Sequence, residues 1–146
     1  MITIVITRTI RLQTNPLETE SHVYIVNITR EVQELVAGTY ISNGIVTLFV
    51  PGSTAAIATI EYESGLLSDF QKMWERNVPK DAIYEHEFQW NENNGYSHLR
   101  ATLLGPSLVI PLAEKRLTLG TYQQIVIVDF DNRPRTRQII LQVMGE

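Results

Sequence analysis

Two histidines are the residues best suited to chemistry in this sequence. His86 lies in the run Tyr84-Glu85-His86-Glu87, and His98 follows across an Asn- and Gly-rich stretch that would let the two side chains face each other. Imidazoles are the commonest ligands of transition metals, and a nearby carboxylate would complete a three-ligand site with open positions. The alternative is two surface or hydrogen-bonded histidines, because this spacing is far less specific than an HExxH motif.

A short run of small and hydroxyl residues is the second candidate. Pro51-Gly52-Ser53-Thr54 directly follows an apolar segment that we expect to be a buried strand. Small residues at a strand end let a ligand approach the backbone, and hydroxyl groups donate hydrogen bonds to it. Taken alone, these residue types favour an ordinary turn in which Ser53 and Thr54 satisfy backbone groups.

Acidic residues around position 61 form the third candidate. Glu61 follows the apolar run 55–60, so we expect it to project from a strand end, where an acid can bind a metal or act as a base. Glu63 and Asp69 are more typical of exposed charges near the N-terminus of a helix, where the helix dipole favours anions.

Three arginines near the end of the chain form the fourth candidate. Arg133, Arg135 and Arg137 alternate along a predicted strand and so share one face. Guanidinium groups bind phosphate or pyrophosphate through paired hydrogen bonds. Asp129 and Asp131 lie beside them in the sequence and can neutralise them, so the pattern favours a solvated ladder of charges.

Composition narrows the classes of function. The 146 residues contain no cysteine, which excludes disulfides, thiolate metal sites and a cysteine nucleophile. With 12 Lys and Arg against 16 Asp and Glu, the net charge of −4 argues against nucleic acid as a partner. No window reaches the roughly 18 apolar residues of a membrane span, and the apolar start lacks the features of a signal peptide. We therefore expect a cytoplasmic protein with no membrane partner.

Hydrophobic periodicity predicts mostly strands. Alternating or continuous apolar runs bounded by turn residues are typical of strands. Such runs occur at residues 2–12, 23–28, 45–50, 55–60, 99–104, 108–112, 122–130 and 137–144. We expect the segment 45–50 to be a central strand, and residues 131–134 to form a hairpin turn between the last two strands.

Two segments have the pattern of helices. Thr29 is a suitable N-cap for a helix from Arg30 to Ala37, and Gly38 is a suitable end. Ser64 can cap a second helix that carries Trp74 and ends before Pro79. Two helices with about eight strands predict a single α+β domain over residues 1–146, in which helices cover one face of a largely antiparallel sheet.

The groupings occur in the order found in the YjbQ family of small proteins, which this chain resembles over almost its whole length. The blocks His-Leu-x-Ala-x-Leu-Leu-Gly, from His98, and Leu-Gly-Thr-aromatic-Gln, from Leu119, are the most specific. The other matching stretches are 49–57, Glu61, Asp69, 84–86, 97–107, 117–123 and 130–137. Typical members read Pro-His-Thr-Thr where this chain reads Pro51-Gly52-Ser53-Thr54, so the resemblance places it in a divergent branch that lacks one histidine.

The resemblance implies a β-sandwich-like core, a homotrimeric assembly and a polar pocket near a subunit interface. It implies His86, His98 and Glu61 as ligands of a divalent metal, zinc or magnesium. Glu61, Gln123 and Arg135 are the implied catalytic residues. The implied contacts to a phosphorylated substrate are Ser53, Thr54, Arg135 and Arg137.

Two functions are consistent with this resemblance. The family is associated with a secondary thiamine-phosphate synthase activity, which joins a pyrimidine pyrophosphate to a thiazole phosphate and expels pyrophosphate. Such a transferase chiefly needs a metal and arginines to stabilise the leaving charge. The alternative is a non-catalytic metal- or anion-binding homotrimer, which is favoured by Gly52 and by the absence of a motif for an activated nucleophile.

Overall fold

Eight strands and four α-helices make up residues 2–146, the part of the chain that the computed structural model describes. The strands are β1 (Ile4–Thr14), β2 (Tyr24–Asn27), β3 (Gly44–Phe49), β4 (Ala55–Glu61), β5 (Ser107–Ala113), β6 (Arg116–Leu117), β7 (Gln123–Asp129) and β8 (Arg135–Gly145). The helices are α1 (Thr29–Ala37), α2 (Ser64–Asn77), α3 (His86–Trp90) and α4 (Gly95–Leu104), with a short 3₁₀ helix at Pro16–Glu18.

The strands form two antiparallel sheets. One sheet has five strands in the order β1-β8-β3-β5-β6, and the other has three in the order β2-β7-β4. β3 pairs with β8 on one side and β5 on the other, which confirms that it is a central strand. The predicted α+β class with mostly antiparallel sheets is confirmed.

The two sheets face each other across an apolar core. Val46, Leu48 and Leu141 of the five-stranded sheet share this core with Ile57 and Ile127 of the three-stranded sheet. Alternation along each strand sends these residues inward, because successive side chains of a strand point to opposite faces. The buried face of α1 belongs to the same core.

Helices cover the other face of the three-stranded sheet. Trp74 of α2 and Tyr96 of α4 pack with Val126 and Val128 of β7, and with Phe130, in a second apolar cluster. The order of layers is therefore five-stranded sheet, three-stranded sheet and helices. The prediction that helices cover one face of a sheet is confirmed, although α3 and α4 were not predicted.

The strand predicted at residues 99–104 is wrong, since this segment belongs to α4. Leu99 and Leu103 suggest strand-like alternation, but both are exposed, by 48% and 69%. The buried residues are instead Ser97, Arg100 and Ala101, at helical spacing.

The hairpin predicted at residues 131–134 is also wrong. β7 and β8 lie in different sheets and do not pair. The turn carries the chain from one layer of the sandwich to the other, and β8 pairs instead with β1 and β3. Turn residues predict a change of direction, but they do not determine which strand becomes the partner.

Both predicted helix starts are shifted by neighbouring side chains. Asn27 Oδ1 accepts hydrogen bonds from the backbone N–H and the hydroxyl of Thr29, and the helix begins at Thr29 itself. Glu63, rather than Ser64, caps α2 by accepting from the N–H groups of Gly65 and Leu66. No helix within residues 2–146 is long and apolar enough to cross a membrane.

Candidate functional site

The two histidines of the 86–98 segment lie side by side. His86 is the first residue of α3, and His98 lies in the first half of α4. Their ring centroids are 4.6 Å apart, with the ring planes inclined by 62°. The structure therefore brings together the pair that the sequence predicted to face each other.

Hydrogen bonds fix which nitrogen of each ring carries a proton. His98 Nδ1 lies 3.1 Å from the carbonyl oxygen of Ser53, which can only accept, so Nδ1 carries the proton. His86 Nε2 lies 3.1 Å from Oδ1 of Asn94. This contact likewise requires His86 Nε2 to donate. His86 Nδ1 and His98 Nε2 are left with free lone pairs when the rings are neutral.

Asn94 connects His86 to a buried carboxylate. Its Nδ2 donates to Oδ1 of Asp131 at 3.3 Å, which turns the amide oxygen toward His86. Asp131 also accepts from Thr54 Oγ1 at 3.0 Å, Arg135 Nε at 2.8 Å and the backbone N–H of Asn132 at 2.8 Å. Burial alone would raise the pKa of Asp131, but these hydrogen bonds outweigh it and hold the pKa below its usual value.

A second ion pair lies next to Asp131. Arg137 donates from Nε and Nη2 to both carboxylate oxygens of Asp129, at 2.7 and 2.9 Å. Two threonines add hydrogen bonds to this ion pair. The Thr14 hydroxyl donates to Asp129, and the Thr54 hydroxyl accepts from Arg137.

The solvated charge ladder favoured by the sequence is therefore wrong for this face. Arg137 is buried and Arg135 is partly buried, and both point to the inner side of β8, where they meet Asp129 and Asp131. Only Arg133 is exposed, in the turn before β8. Burial of two carboxylates requires positive partners, and the alternate spacing of Arg135 and Arg137 supplies them.

The loop before β4 covers this ion-pair network. Within residues 2–146, the backbone N–H groups of Gly52, Ser53 and Thr54 have no hydrogen-bond acceptor, and neither does Nη1 of Arg137. A Cβ at position 52 would lie 3.1 Å from that nitrogen. Gly52 has a φ of +114°, which favours glycine, and the guanidinium of Arg137 would have to shift by a few tenths of an ångström to admit a side chain here.

Two cavities meet at His98. One, of about 370 Å³, is lined by Gly52, Ser53, His98 and small residues of α4. The other, of about 440 Å³, is lined by both histidines together with Ile83 and Leu99. His98 is thus the wall shared by the two cavities.

Glu61 and Gln123 lie away from the histidines. They form a register pair at one end of β4 and β7, whereas Ala55 and Asp129 form the pair at the other end. Six residue steps along a strand span roughly 20 Å, so Glu61 cannot reach His98 in the same chain. Within residues 2–146, no group of three His, Asp or Glu side chains is close enough to hold a metal ion. The three predicted metal ligands therefore do not form a site within one chain.

Asn94 is the residue of this network that sequence reasoning missed. It lies just before α4, is nearly fully buried and links His86 to Asp131. Its place in an Asn- and Gly-rich stretch suggests an exposed loop, so nothing in the sequence separates it from Asn91 or Asn93, which are exposed.

His22 lies in a separate polar cavity of about 380 Å³. Its Nδ1 is 2.7 Å from the hydroxyl of Tyr96. Burial, followed by the charges of Lys80 and Arg100, lowers its pKa below the usual 6.5. Burial also raises the pKa of Tyr96, so the tyrosine remains protonated and donates to His22.

Known proteins resemble this chain along almost its whole length. The family profile described as UPF0047 protein YjbQ-like matches residues 13–146. A UPF0047 protein of Methanothermobacter thermautotrophicus is 42% identical over 131 residues, which are 90% of each chain. The UPF0047 protein YugU of Bacillus subtilis is 31% identical over 92% of this chain and 99% of its own.

Solved structures agree with this likeness. The crystal structure of a YbjQ-like protein of unknown function from Sulfolobus solfataricus superposes with a TM-score of 0.90 at 32% identity, over 99% of this chain and all of the other. A hypothetical protein from Aeropyrum pernix superposes with a TM-score of 0.85 at 30% identity, over 96% of this chain and 98% of the other.

Proposed function

The chain belongs to the YjbQ-like UPF0047 family, and we propose that it binds a phosphorylated small molecule between the loop 52–54 and His98. One observation carries this proposal. Among residues 2–146, nothing accepts a hydrogen bond from the backbone N–H groups of Gly52, Ser53 and Thr54 or from Nη1 of Arg137. Gly52 and Ser53 line the cavity that His98 also lines. Successive free N–H groups are a favourable environment for phosphate oxygens.

The charge balance of the site limits what it binds. Arg137 and Arg135 are already paired with Asp129 and Asp131, so they bring little excess positive charge. Hydrogen bonds from the loop, the Ser53 hydroxyl and Arg137 therefore hold the phosphate. Thr54 and Arg135 contact Asp131 and position the loop.

The second cavity suits the organic part of the ligand. Ile83 is 86% exposed and Leu99 is 48% exposed, and both line the cavity beside His86. Exposed apolar side chains around a polar centre are typical of a surface that a ligand covers. A ligand with phosphate on one side of His98 and a ring system on the other would occupy both cavities.

The reaction we propose is transfer of the thiamine-phosphate synthase type. A thiazole nitrogen forms a bond to the methylene carbon of a pyrimidine pyrophosphate, while the carbon–oxygen bond breaks and its electron pair leaves with pyrophosphate. The loop 52–54 and Arg137 would bind the departing pyrophosphate and stabilise its charge. Glu61 and Gln123 would take part only from a neighbouring copy of a homotrimer, since both lie about 20 Å away in their own chain.

A divalent metal does not fit this site within one chain. His86 and His98 offer two nitrogens, whereas zinc sites usually have at least three protein ligands. Binding of zinc or magnesium would require a third ligand from a neighbouring copy, with Glu61 as the proposed donor.

Calorimetric titration with inorganic phosphate and pyrophosphate tests the binding proposal. We expect pyrophosphate to bind the native protein, and His98→Ala to weaken binding by about tenfold, or about 1.4 kcal/mol. His22→Ala is the matched control, because His22 lies in a different cavity, and it should leave the affinity unchanged. Failure of the native protein to bind either anion at millimolar concentration would overturn the proposal.

A turnover assay separates the transferase from the alternative function, a non-catalytic anion- or metal-binding homotrimer. The alternative is favoured by the distance of Glu61 and Gln123 from the histidines. Thiamine phosphate formed from the two phosphorylated precursors, and lost in His86→Ala and His98→Ala, would support the transferase. Anion binding without turnover would support the alternative.

A further inference from the structure

α3, the short helix that begins with His86, is not held in place by the apolar core. None of its five residues, all of which the structure describes, is buried, and Phe88 and Trp90 are 74% and 68% exposed. An isolated helix of this length is not stable in water, and most helices in proteins are held by the packing of an apolar face. Polar contacts must therefore keep His86 where it meets His98.

The carboxylate of Glu87 provides two of these contacts. Its Oε2 accepts from the backbone N–H of Tyr84 at 3.0 Å, and its Oε1 accepts from the N–H of Gly95 at 2.8 Å. Tyr84 lies two residues before α3, and Gly95 is the first residue of α4, the helix that carries His98. Hydrogen bonds to a carboxylate are stronger than neutral ones, and a negative charge is favourable at the N-terminus of a helix. One side chain thus ties the segment around His86 to the start of α4.

Gly95 allows the segment 84–87 to lie directly on α4. A Cβ at position 95 would lie 2.7 Å from Cβ of Tyr84, 2.8 Å from Oε1 of Glu87 and 3.2 Å from Cβ of His86. The Cβ of Tyr84 is next to the backbone, so a larger residue at position 95 would push this segment away from α4. The close approach of His86 to α4 and the hydrogen bond from Gly95 to Glu87 therefore depend on the same short distance.

We propose that Glu87 is a positioning residue, which holds His86 against His98 and so maintains the cavity of about 440 Å³ that both rings line. The hydrogen bond between His86 and Asn94 orients the ring, whereas Glu87 fixes the backbone from which the ring projects. Without Glu87, α3 has neither a buried face nor this link to α4, and His86 moves away from His98. The consequence for binding rests on the proposed function, because this cavity is the one proposed for the organic part of the ligand.

Glu87→Gln tests the positioning role without any ligand. A carboxamide has one oxygen and a donor group in place of the second, so it loses at least one of the two hydrogen bonds. Glu92→Gln is the matched control, since it removes the same charge from an exposed side chain that accepts no hydrogen bond within residues 2–146. NMR spectra of the native protein and of Glu92→Gln should show a nuclear Overhauser effect between the ring protons of His86 and His98. We expect Glu87→Gln to lose this effect while its circular dichroism spectrum stays unchanged.

Gly95→Ala is the second variant, which decides the question if Glu87→Gln does not fold. It keeps the carboxylate and displaces the segment 84–87 by the added Cβ. Alanine is a better helix former than glycine, so any loss of the contact between His86 and His98 would not result from a weaker α4. A native-like Overhauser effect in the folded variant would overturn the inference.

Calorimetry with two anions separates this inference from the proposed function. We expect the pyrimidine pyrophosphate to bind the native protein about tenfold more tightly than inorganic pyrophosphate, because its ring occupies the cavity beside His86. Glu87→Gln should lose this gain but bind pyrophosphate as the native protein does, since His98 keeps its own hydrogen bond to Ser53. Glu92→Gln should keep both affinities.

The possible outcomes differ for the two proposals. A gain that survives in Glu87→Gln would overturn the inference alone. If the native protein binds neither anion, the proposed function fails, and the Overhauser effect between His86 and His98 still shows whether Glu87 positions the ring.

Discussion

The side-chain amide of Asn94 donates to the carboxylate of Asp131 at 3.3 Å, and this contact determines which atom His86 meets. A carboxylate can only accept, so Nδ2 of Asn94 must face Asp131 and Oδ1 must face His86. The buried Asn94 side chain thereby determines which nitrogen of the His86 ring carries the proton, and this ring lines a cavity.

Replacement of Asn94 should change the tautomer of His86. In the native protein we expect ¹⁵N spectra to show a protonated Nε2 and a free Nδ1. Asn94→Ala removes the acceptor, so the ring should become a mixture of both tautomers, and the free energy of unfolding should fall by about 1–3 kcal/mol. Asn27→Ala is the control, since it removes hydrogen bonds elsewhere. A single native-like tautomer in Asn94→Ala would contradict the assignment.

Substitution of Gly52 should weaken anion binding more than substitution of another glycine with a similar backbone. Gly52 and Gly105 have φ values of +114° and +99°, so alanine introduces similar strain at both. Only at position 52 would the new Cβ meet Arg137 Nη1, because nothing lies within 4 Å of a Cβ at position 105. We expect about tenfold weaker pyrophosphate binding in Gly52→Ala and none of this loss in Gly105→Ala. Equal affinities in calorimetry would exclude Arg137 from the anion site.

The pair Arg137 and Asp129 should be strongly coupled in stability. Arg137→Met leaves a buried carboxylate without its cation and should lower the free energy of unfolding by about 3–5 kcal/mol. The double variant with Asp129→Asn should be less destabilised than the sum of the single variants, because the uncompensated charge is gone. Urea denaturation of the four proteins measures this difference, and strict additivity would mean that the two side chains do not depend on each other.

Acid should destabilise the protein in two separate ranges of pH. The pKa of Asp131 is lower in the folded chain than in the unfolded one, so its contribution is present above about pH 4 and is lost as the pH falls further. The pKa of His22 is also lowered, and the unfolded chain therefore takes up its proton first, below about pH 6.5.

Thermal denaturation at different pH values distinguishes these contributions. Asp131→Asn should be less stable at pH 7 and should lose less stability than the native protein as the pH falls below about 4. His22→Gln should instead reduce the loss of stability that begins below about pH 6.5. Native-like curves for both variants would show that neither group is linked to folding.

The local hydrophobic pattern predicted most strands correctly, because the alternate apolar residues of these strands are the ones that are buried. Ile10 and Leu12 of β1, and Ile139 and Leu141 of β8, have the expected spacing and point inward. α4 was mistaken for a strand since its buried surface includes Arg100, whose guanidinium donates to the carbonyl groups of Val78 and Ser21. Residues of this type are expected on the surface, so no hydrophobic period reveals the helix.

The part of the candidate site that could be predicted from the sequence consists of residues of a rare and chemically distinctive type. His86 and His98 are two of only three histidines, and their convergence followed from a plausible loop between them. The distance of Glu61 from them could not be predicted, because it depends on which end of β4 faces the helices. The burial of Arg137 depends on the crossing between sheets, which is a property of the whole topology.

The pairing of β1 with β8 has a consequence for how the protein is made. In the part of the chain that the structure describes, residues 4–14 pair only with residues 135–145, and β3 pairs with that same strand. Contacts of such long sequence separation slow folding, since the loop entropy is lost before the contacts form. On the ribosome, β1 and β3 must therefore wait until β8 is synthesised, and during that interval their unpaired edges are open to pairing with another chain.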